Sequence, residues 1–279
     1  MELQLKIIDE TGQIKLGKNN DESLVESMES KGEDLVYLST QFFNFQNGDA
    51  IVLNLAEKGQ YVWIRFDETL NESLVYIKEQ EITYHPSLTM NGRESISDVA
   101  FMGKRHYIQA RIAKDYEIKA YRNLALNPHD QKDFTGAYPH AFANVETRDD
   151  STFFARNVID GIFANRLHGS YPYQSWGINR QENATLSIDF GRQVLLNRIG
   201  FTLRSDFPHD SFWTRITAEF SNGETITFST VQSSAPQYFD FEPIKTDRVT
   251  IKNLIKNEDD SPFPALTQLE AFGIVKEKN

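Results

Sequence analysis

Short apolar runs rich in β-branched and aromatic residues, separated by polar segments, recur along most of the chain. In the first half, AIVLNL (50–55), YVWIRF (61–66), LVYIK (74–78), YIQARIA (107–113) and YEIKAYRNLAL (116–126) read as strands. AEKGQ and DETLNES, between them, carry the Gly, Asn, Asp and Glu expected of turns. Helical periodicity is scarce. DESLVESMESKG (21–32) places Leu24, Val25 and Met28 at i, i+1 and i+4 and predicts one short helix at most.

The pattern breaks over NPHDQKDFTGAYPH (127–140), which has two prolines, a glycine, several charges and no apolar face. That composition fits a linker. Strand-like runs then resume: ATLSIDF (184–190), VLLNRIGFTL (194–203), TRITAEF (214–220), ETITFST (224–230), YFDF (238–241), DRVTIKNLI (247–255) and LTQLEAFGIV (266–275). FSNGET joins two of them through Asn-Gly, a strong hairpin signal. One helical turn is expected at FFARNVIDG (153–161), with Phe154, Val158 and Phe153 on its inner face. The fold class predicted is all-β: two tandem β-sandwich (jelly-roll) domains, residues 1–135 and 136–279.

Composition narrows the functions open to such a chain. Its 279 residues are enough for two cores, and a hydrophobic fraction of 39% with 12% aromatics suits folded domains. The net charge of −11 repels phosphate backbones, so nucleic acid is not expected as a partner. With no cysteine, disulfides, thiolate metal sites and cysteine nucleophiles are excluded. MELQLKIIDE has no apolar stretch of signal-peptide length, and no segment approaches the roughly 20 apolar residues of a membrane span. A cytoplasmic chain that does not insert into membranes is the expectation.

FARNVIDG (154–161), SWG (175–177), LSIDFGRQVLLNRIGF (186–201), FSNGE (220–224) and LTQLEAFG (266–273) occur in an order that resembles the discoidin-like, or coagulation factor type C, domains. These galactose-binding-like jelly rolls include the family 32 carbohydrate-binding modules. In them an Ala-x-Asn-x-x-Asp-Gly start leads to a tryptophan, then to an Ile-Asp-Leu-Gly-like strand and a Glu-containing terminus. The resemblance implies a β-sandwich that binds carbohydrate without a cofactor. It also implies a structural calcium ion near Asp160 and Glu270. Two departures stand out. Ile162 occupies the place where the family usually has Asp or Asn, and a long insertion, IFANRLHGSYPYQSWG, precedes the tryptophan. Vertebrate members pin their ends with a disulfide, which this chain cannot form. Both departures favour the bacterial carbohydrate-binding branch over its lipid-binding relatives.

The residues themselves point to the same chemistry. Sugars present apolar C–H faces ringed by hydroxyls, so a sugar site combines aromatic platforms with planar donors and acceptors. RSDFPHDSFW (204–213) offers Arg204 and His209 as donors, Asp206 and Asp210 as acceptors, and Trp213 and Phe207 as platforms, with Pro208 stiffening the loop. The insertion adds His168, Tyr171, Tyr173 and Trp176. SPFPAL (261–266) adds Phe263 between two prolines. Loops at one end of a sandwich converge although they are distant in sequence.

Other readings of the same residues stay open. Arg204 with Asp206 or Asp210 makes an ion pair that fixes a loop, and Trp176 and Trp213 are equally suited to the core. A protein-interaction scaffold would use the same aromatics and arginine as hot spots. Two carboxylates are also the equipment of a glycosidase, but cationic neighbours keep carboxylates ionised, whereas a general acid needs a raised pKa. No Gly-x-Ser-x-Gly elbow, His-Glu-x-x-His motif, phosphate loop or dinucleotide fingerprint is present. Binding without turnover is the expected activity.

Overall fold

The computed structural model describes residues 1–18, 23–206 and 211–276. The regular secondary structure is almost wholly strand, and the protein divides into two compact units. One comprises residues 1–114 with 133–137, the other 115–132 with 138–279. Among the described residues no helix is long and apolar enough to cross a membrane.

The first unit is a β-sandwich. One antiparallel sheet orders Glu29–Glu33, Glu2–Ile8, Ala50–Leu55 and Glu81–Tyr84; the other runs Ser73–Ile77, Gln60–Arg65, Tyr107–Ile112 and Leu35–Ser39. Side chains alternate across each strand. Leu3, Leu5 and Ile7 are therefore buried, and they share one core with Ile51 and Leu53 of their own sheet and Val62, Ile64, Val75 and Ile108 of the facing one. Burying each such side chain contributes roughly 1.5–3 kcal/mol.

Two local expectations fail here. The helix predicted over 21–32 is replaced, in its described part, by strands Glu26–Ser27 and Glu29–Glu33. Leu24 and Val25 stay exposed, and only Met28 reaches the core. One apolar anchor cannot hold a helix, whereas the Glu2–Ile8 edge has backbone groups to pair, and residues 29–33 take them. The strand predicted over 116–126 is instead the short helix Asp115–Lys119, acidic at its start and basic at its end, followed by Arg122–Asn123. This segment belongs with the second unit rather than the first. Arg122 and Asn123 pair with Gly273 and Phe272, and the Leu124 N–H donates to the Ala271 carbonyl at 2.7 Å.

The second unit centres on an antiparallel sheet ordered Arg122–Asn123, Ala265–Val275, Leu186–Leu203, Gln237–Lys256, Trp213–Phe220 and Thr225–Ser229. The runs 184–190 and 194–203, read from sequence as separate strands, form one strand with register shifts between Asp189 and Val194 and again between Leu196 and Arg198. Such bulges bend a strand. Leu186 and Ile188 before the first shift, Phe190 within it, and Ile199, Phe201 and Leu203 after the second all contribute to one core. Gly191 sits in the corner at φ 65°, where a Cβ would lie 2.3 Å from the Tyr138 ring, so only glycine fits. The predicted Asn-Gly hairpin is present: Gly223 has φ 90°, and the Phe220 N–H donates to the Glu224 carbonyl at 2.9 Å. The predicted helical turn appears as the 3-10 turns Ser151–Phe153 and Ala155–Ile159, with Phe153, Phe154 and Val158 buried.

Candidate functional site

A cleft of about 470 Å³ opens in the second unit where several connections meet. Thr147 and Arg148 come from a further 3-10 turn, Thr147–Asp149, and Phe153 from Ser151–Phe153; Gly177 ends strand Trp176–Gly177, and Ile178, Asn179 and Arg180 follow it. Arg204 ends strand Leu186–Leu203, Pro262, Phe263, Pro264 and Ala265 lead into the last strand, and His168 comes from the inserted loop. The three loops singled out from sequence thus each contribute to one cleft, through His168, Arg204 and Phe263.

Local backbone constraints shape its walls. Arg148 and Asp149 have φ of 57° and 53°, and Asn179 and Arg180 have φ of 46° and 62°. Left-handed backbone at non-glycine residues costs on the order of 1 kcal/mol each. Two of the three arginines that line the cleft, Arg148 and Arg180, are held in this region. The Thr147 hydroxyl links the two turns by accepting from the Asn179 N–H at 2.9 Å. Gly177 leaves room for that link, since a Cβ there would stand 2.6 Å from Thr147 Oγ1 and 3.1 Å from the Phe153 ring. The Arg180 guanidinium lies over the Phe263 ring, 4.5 Å from its centroid, and Arg148 lies over Phe153 at 5.7 Å. Planar cations packed on aromatic rings lose little further freedom on engaging a ligand.

Behind this wall is a buried charge cluster. Arg204 Nε and Asp206 Oδ1 are 2.5 Å apart, and the two side chains are 5% and 3% exposed. The atoms touch without a well-directed hydrogen bond, so the contact is one of charge more than of alignment. Arg204 Nη2 also donates to the Phe263 carbonyl, and its N–H to the Ala265 carbonyl at 3.0 Å. The half-exposed His168 meets the second Asp206 oxygen through Nδ1. Asp206 therefore ties the inserted loop and the strand end together, and Arg204 reaches onward to the 262–265 segment.

The remaining predicted site residues fare differently. Trp176 and Trp213 are 0% and 1% exposed, with ring centroids 6.1 Å apart, and Trp176 Nε1 donates to the Val145 carbonyl at 2.9 Å. Neither indole presents a face to a ligand; both are core. The reason is volume, because the end of the sandwich under the loops has to be filled. Tyr171 is 40% exposed and Tyr173 partly buried, but neither lines the cleft. Phe207, His209 and Asp210 lie outside the described residues. Thr147, Arg148, Asn179 and Arg180 escaped the sequence reading. Their one sequence signal is weak: Asn-Arg after a strand favours a turn.

Asp160 and Glu270, implied as calcium ligands by the resemblance, are held by other partners. Asp160 Oδ1 accepts from the Ile162 N–H at 2.8 Å and from Gln268 Nε2 at 2.7 Å, while Oδ2 accepts from Gln174 Nε2 at 2.7 Å. Burial pushes this carboxyl up to about 7, against the downward pull of these amides and of Arg156. Glu270, also raised by burial, accepts from the Tyr238 hydroxyl at 2.8 Å. Calcium requires six to eight oxygen ligands. A cation at Asp160 would face the Ile162 N–H and the Gln268 Nε2 donor, whose amide is fixed by its further bonds to Gly161 and Asn157. Ile162 supplies no side-chain oxygen, so the residues as arranged do not fit the ion.

No family model and no curated protein sequence matches the chain. Solved structures are similar to part of it. A chitosan-binding module from a Paenibacillus chitosanase/glucanase has 15% identity over 54% of this chain and 98% of its own, with a TM-score of 0.38. The family 32 module of Clostridium perfringens NanJ, solved with galactose, has 18% identity over 47% and 91%, with a TM-score of 0.36. A Streptococcus pneumoniae fucose-binding module has 18% identity over 56% and 98%, with a TM-score of 0.38.

Proposed function

We propose that the second unit is a non-catalytic carbohydrate-binding domain whose ligand sits in the cleft between the 147–153, 177–180 and 262–265 segments. The observation that carries this reading is the pairing, in one cleft, of apolar surface with planar donors. Phe153, Pro262, Phe263 and Pro264 supply the first; Arg148, Arg180 and the Asn179 amide supply the second. A pyranose needs both. The order of motifs from 154 to 273 supports the same reading independently.

The carboxylates support binding without turnover. No Asp or Glu is among the described residues that line the cleft, and Asp206, just behind it, is held between Arg204 and His168. A glycosidase needs a pair of carboxyl groups flanking the scissile bond. The role of the first unit stands apart from this proposal. A glycan array probed with the whole purified chain tests it: binding to a restricted set of sugars, with no release of reducing ends on incubation, is expected. Binding to no glycan, or steady hydrolysis, overturns it.

A further inference from the structure

Charge in the cleft runs against charge in the chain. The protein carries −11 overall, yet the described lining contains Arg148, Arg180, Arg204 and His168 and no acidic side chain. These groups are not equally available. Arg204 is buried and neutralised by Asp206, which also engages His168. Arg148 is 70% exposed and stands 3.5 Å from Asp150. Arg180 is exposed, packs on Phe263 and, among the described residues, meets no carboxylate. At physiological salt the screening length is about 8 Å, so a ligand in the cleft responds to these groups more than to distant surface acids.

A neutral sugar would leave the Arg180 cation without a counter-charge, and an amino sugar would bring like charge against it. A carboxylate or sulfate ester matches the planar fork of a guanidinium. Arg148 and Arg180 are also the two arginines held on left-handed backbone, a strain that persists only where the surrounding structure imposes it. Building on the carbohydrate reading above, we infer that the cleft takes an acidic saccharide, its carboxylate or sulfate group engaged by Arg180 with Arg148 beside it.

The test is titration calorimetry of the whole chain with four oligosaccharide probes. Oligogalacturonate carries carboxylates, a chondroitin sulfate oligosaccharide carries sulfate esters as well, galacto-oligosaccharide is neutral and chitosan oligosaccharide is cationic. One or both acidic probes are expected to bind at least about 10-fold more tightly than the neutral one, and more weakly as salt is raised. The oligogalacturonate result shows whether a carboxylate alone suffices. Arg180→Gln, at an exposed position that leaves the core untouched, is expected to weaken acidic binding about 10-fold, the loss of one charge-assisted contact. Neutral probes binding as tightly as acidic ones, or acidic binding indifferent to Arg180→Gln, overturns the charge assignment while leaving the carbohydrate reading in place. If these probes and a broad glycan array all fail to bind, the carbohydrate reading fails and this inference with it.

Discussion

Arg204 and Asp206 meet at 2.5 Å with both side chains out of solvent, one at a strand end and the other two residues beyond it. Removing one partner from a buried pair leaves an uncompensated charge, which costs about 3–5 kcal/mol. Asp206→Ala is therefore expected to lower stability by about that amount in urea unfolding, and it also frees His168. The double variant Arg204→Met/Asp206→Leu is expected to lose much less, because no unpaired charge remains. Equal losses in the single and double variants would refute the pairing.

Trp213, packed against Trp176, is expected to matter to folding rather than to the ligand. Trp213→Ala should cost about 3–5 kcal/mol through the cavity it leaves. The milder Trp213→Phe variant, once folded, should bind any cleft ligand as the parent does. A folded Trp213→Phe protein that loses binding would place the indole in the site after all.

Asp160 gives a pH signature whose sign is fixed by its raised pKa. Below the ordinary value of 3.8 both folded and unfolded chains hold the proton; between 3.8 and about 7 only the folded chain does; above that both release it. Its contribution to stability therefore falls as pH rises from about 4 to 7, by an amount on the order of a few kcal/mol. The neutral carboxyl has an acceptor available, since Gln174 Oε1 is buried without a partner and a turned amide would present it. Asp160→Asn is expected to fold and to flatten this part of the stability–pH curve. An unchanged slope in the variant would contradict the assignment.

Calcium is expected to leave the melting temperature unchanged, with chelator equally without effect, because N–H donors occupy the Asp160 carboxylate. A calcium-dependent rise in melting temperature, as mass action on a native-state site requires, would show that these amides give way to the ion.

The strands were the most legible part of the sequence, because alternation reports a half-buried backbone wherever a sheet has one wet face. Gln60–Arg65 was readable for that reason, whereas Ala50–Leu55, buried almost throughout, was readable as a short continuous apolar run and the Asn222-Gly223 hairpin by its turn residues. Residues 21–32 were misread because one buried anchor, Met28, cannot fix a helical period, and pairing with Glu2–Ile8 decided the outcome. Residues 116–126 were misread because Tyr116, Ile118 and Ala120 alternate as in a half-buried strand, although helix Asp115–Lys119 buries none of its side chains. In the cleft, crowding of charge and aromatics marked Arg204, His168 and Phe263. It could not separate a platform from a core indole, because Trp176 and Trp213 have the same side chain in either role and only packing distinguishes them. Arg148 and Arg180 were invisible for another reason. Their importance lies in backbone conformation and in a proximity between segments about thirty residues apart, neither of which a single sequence encodes locally.

The most direct test of the cleft as the glycan site is hydrogen exchange on the whole chain, with and without the tightest ligand from the array. Slowed exchange is predicted in the 147–153, 177–180 and 262–265 segments, with the strands of the first unit unchanged. Protection confined to the first unit, or absent from all three of these segments at saturating ligand, would contradict the account.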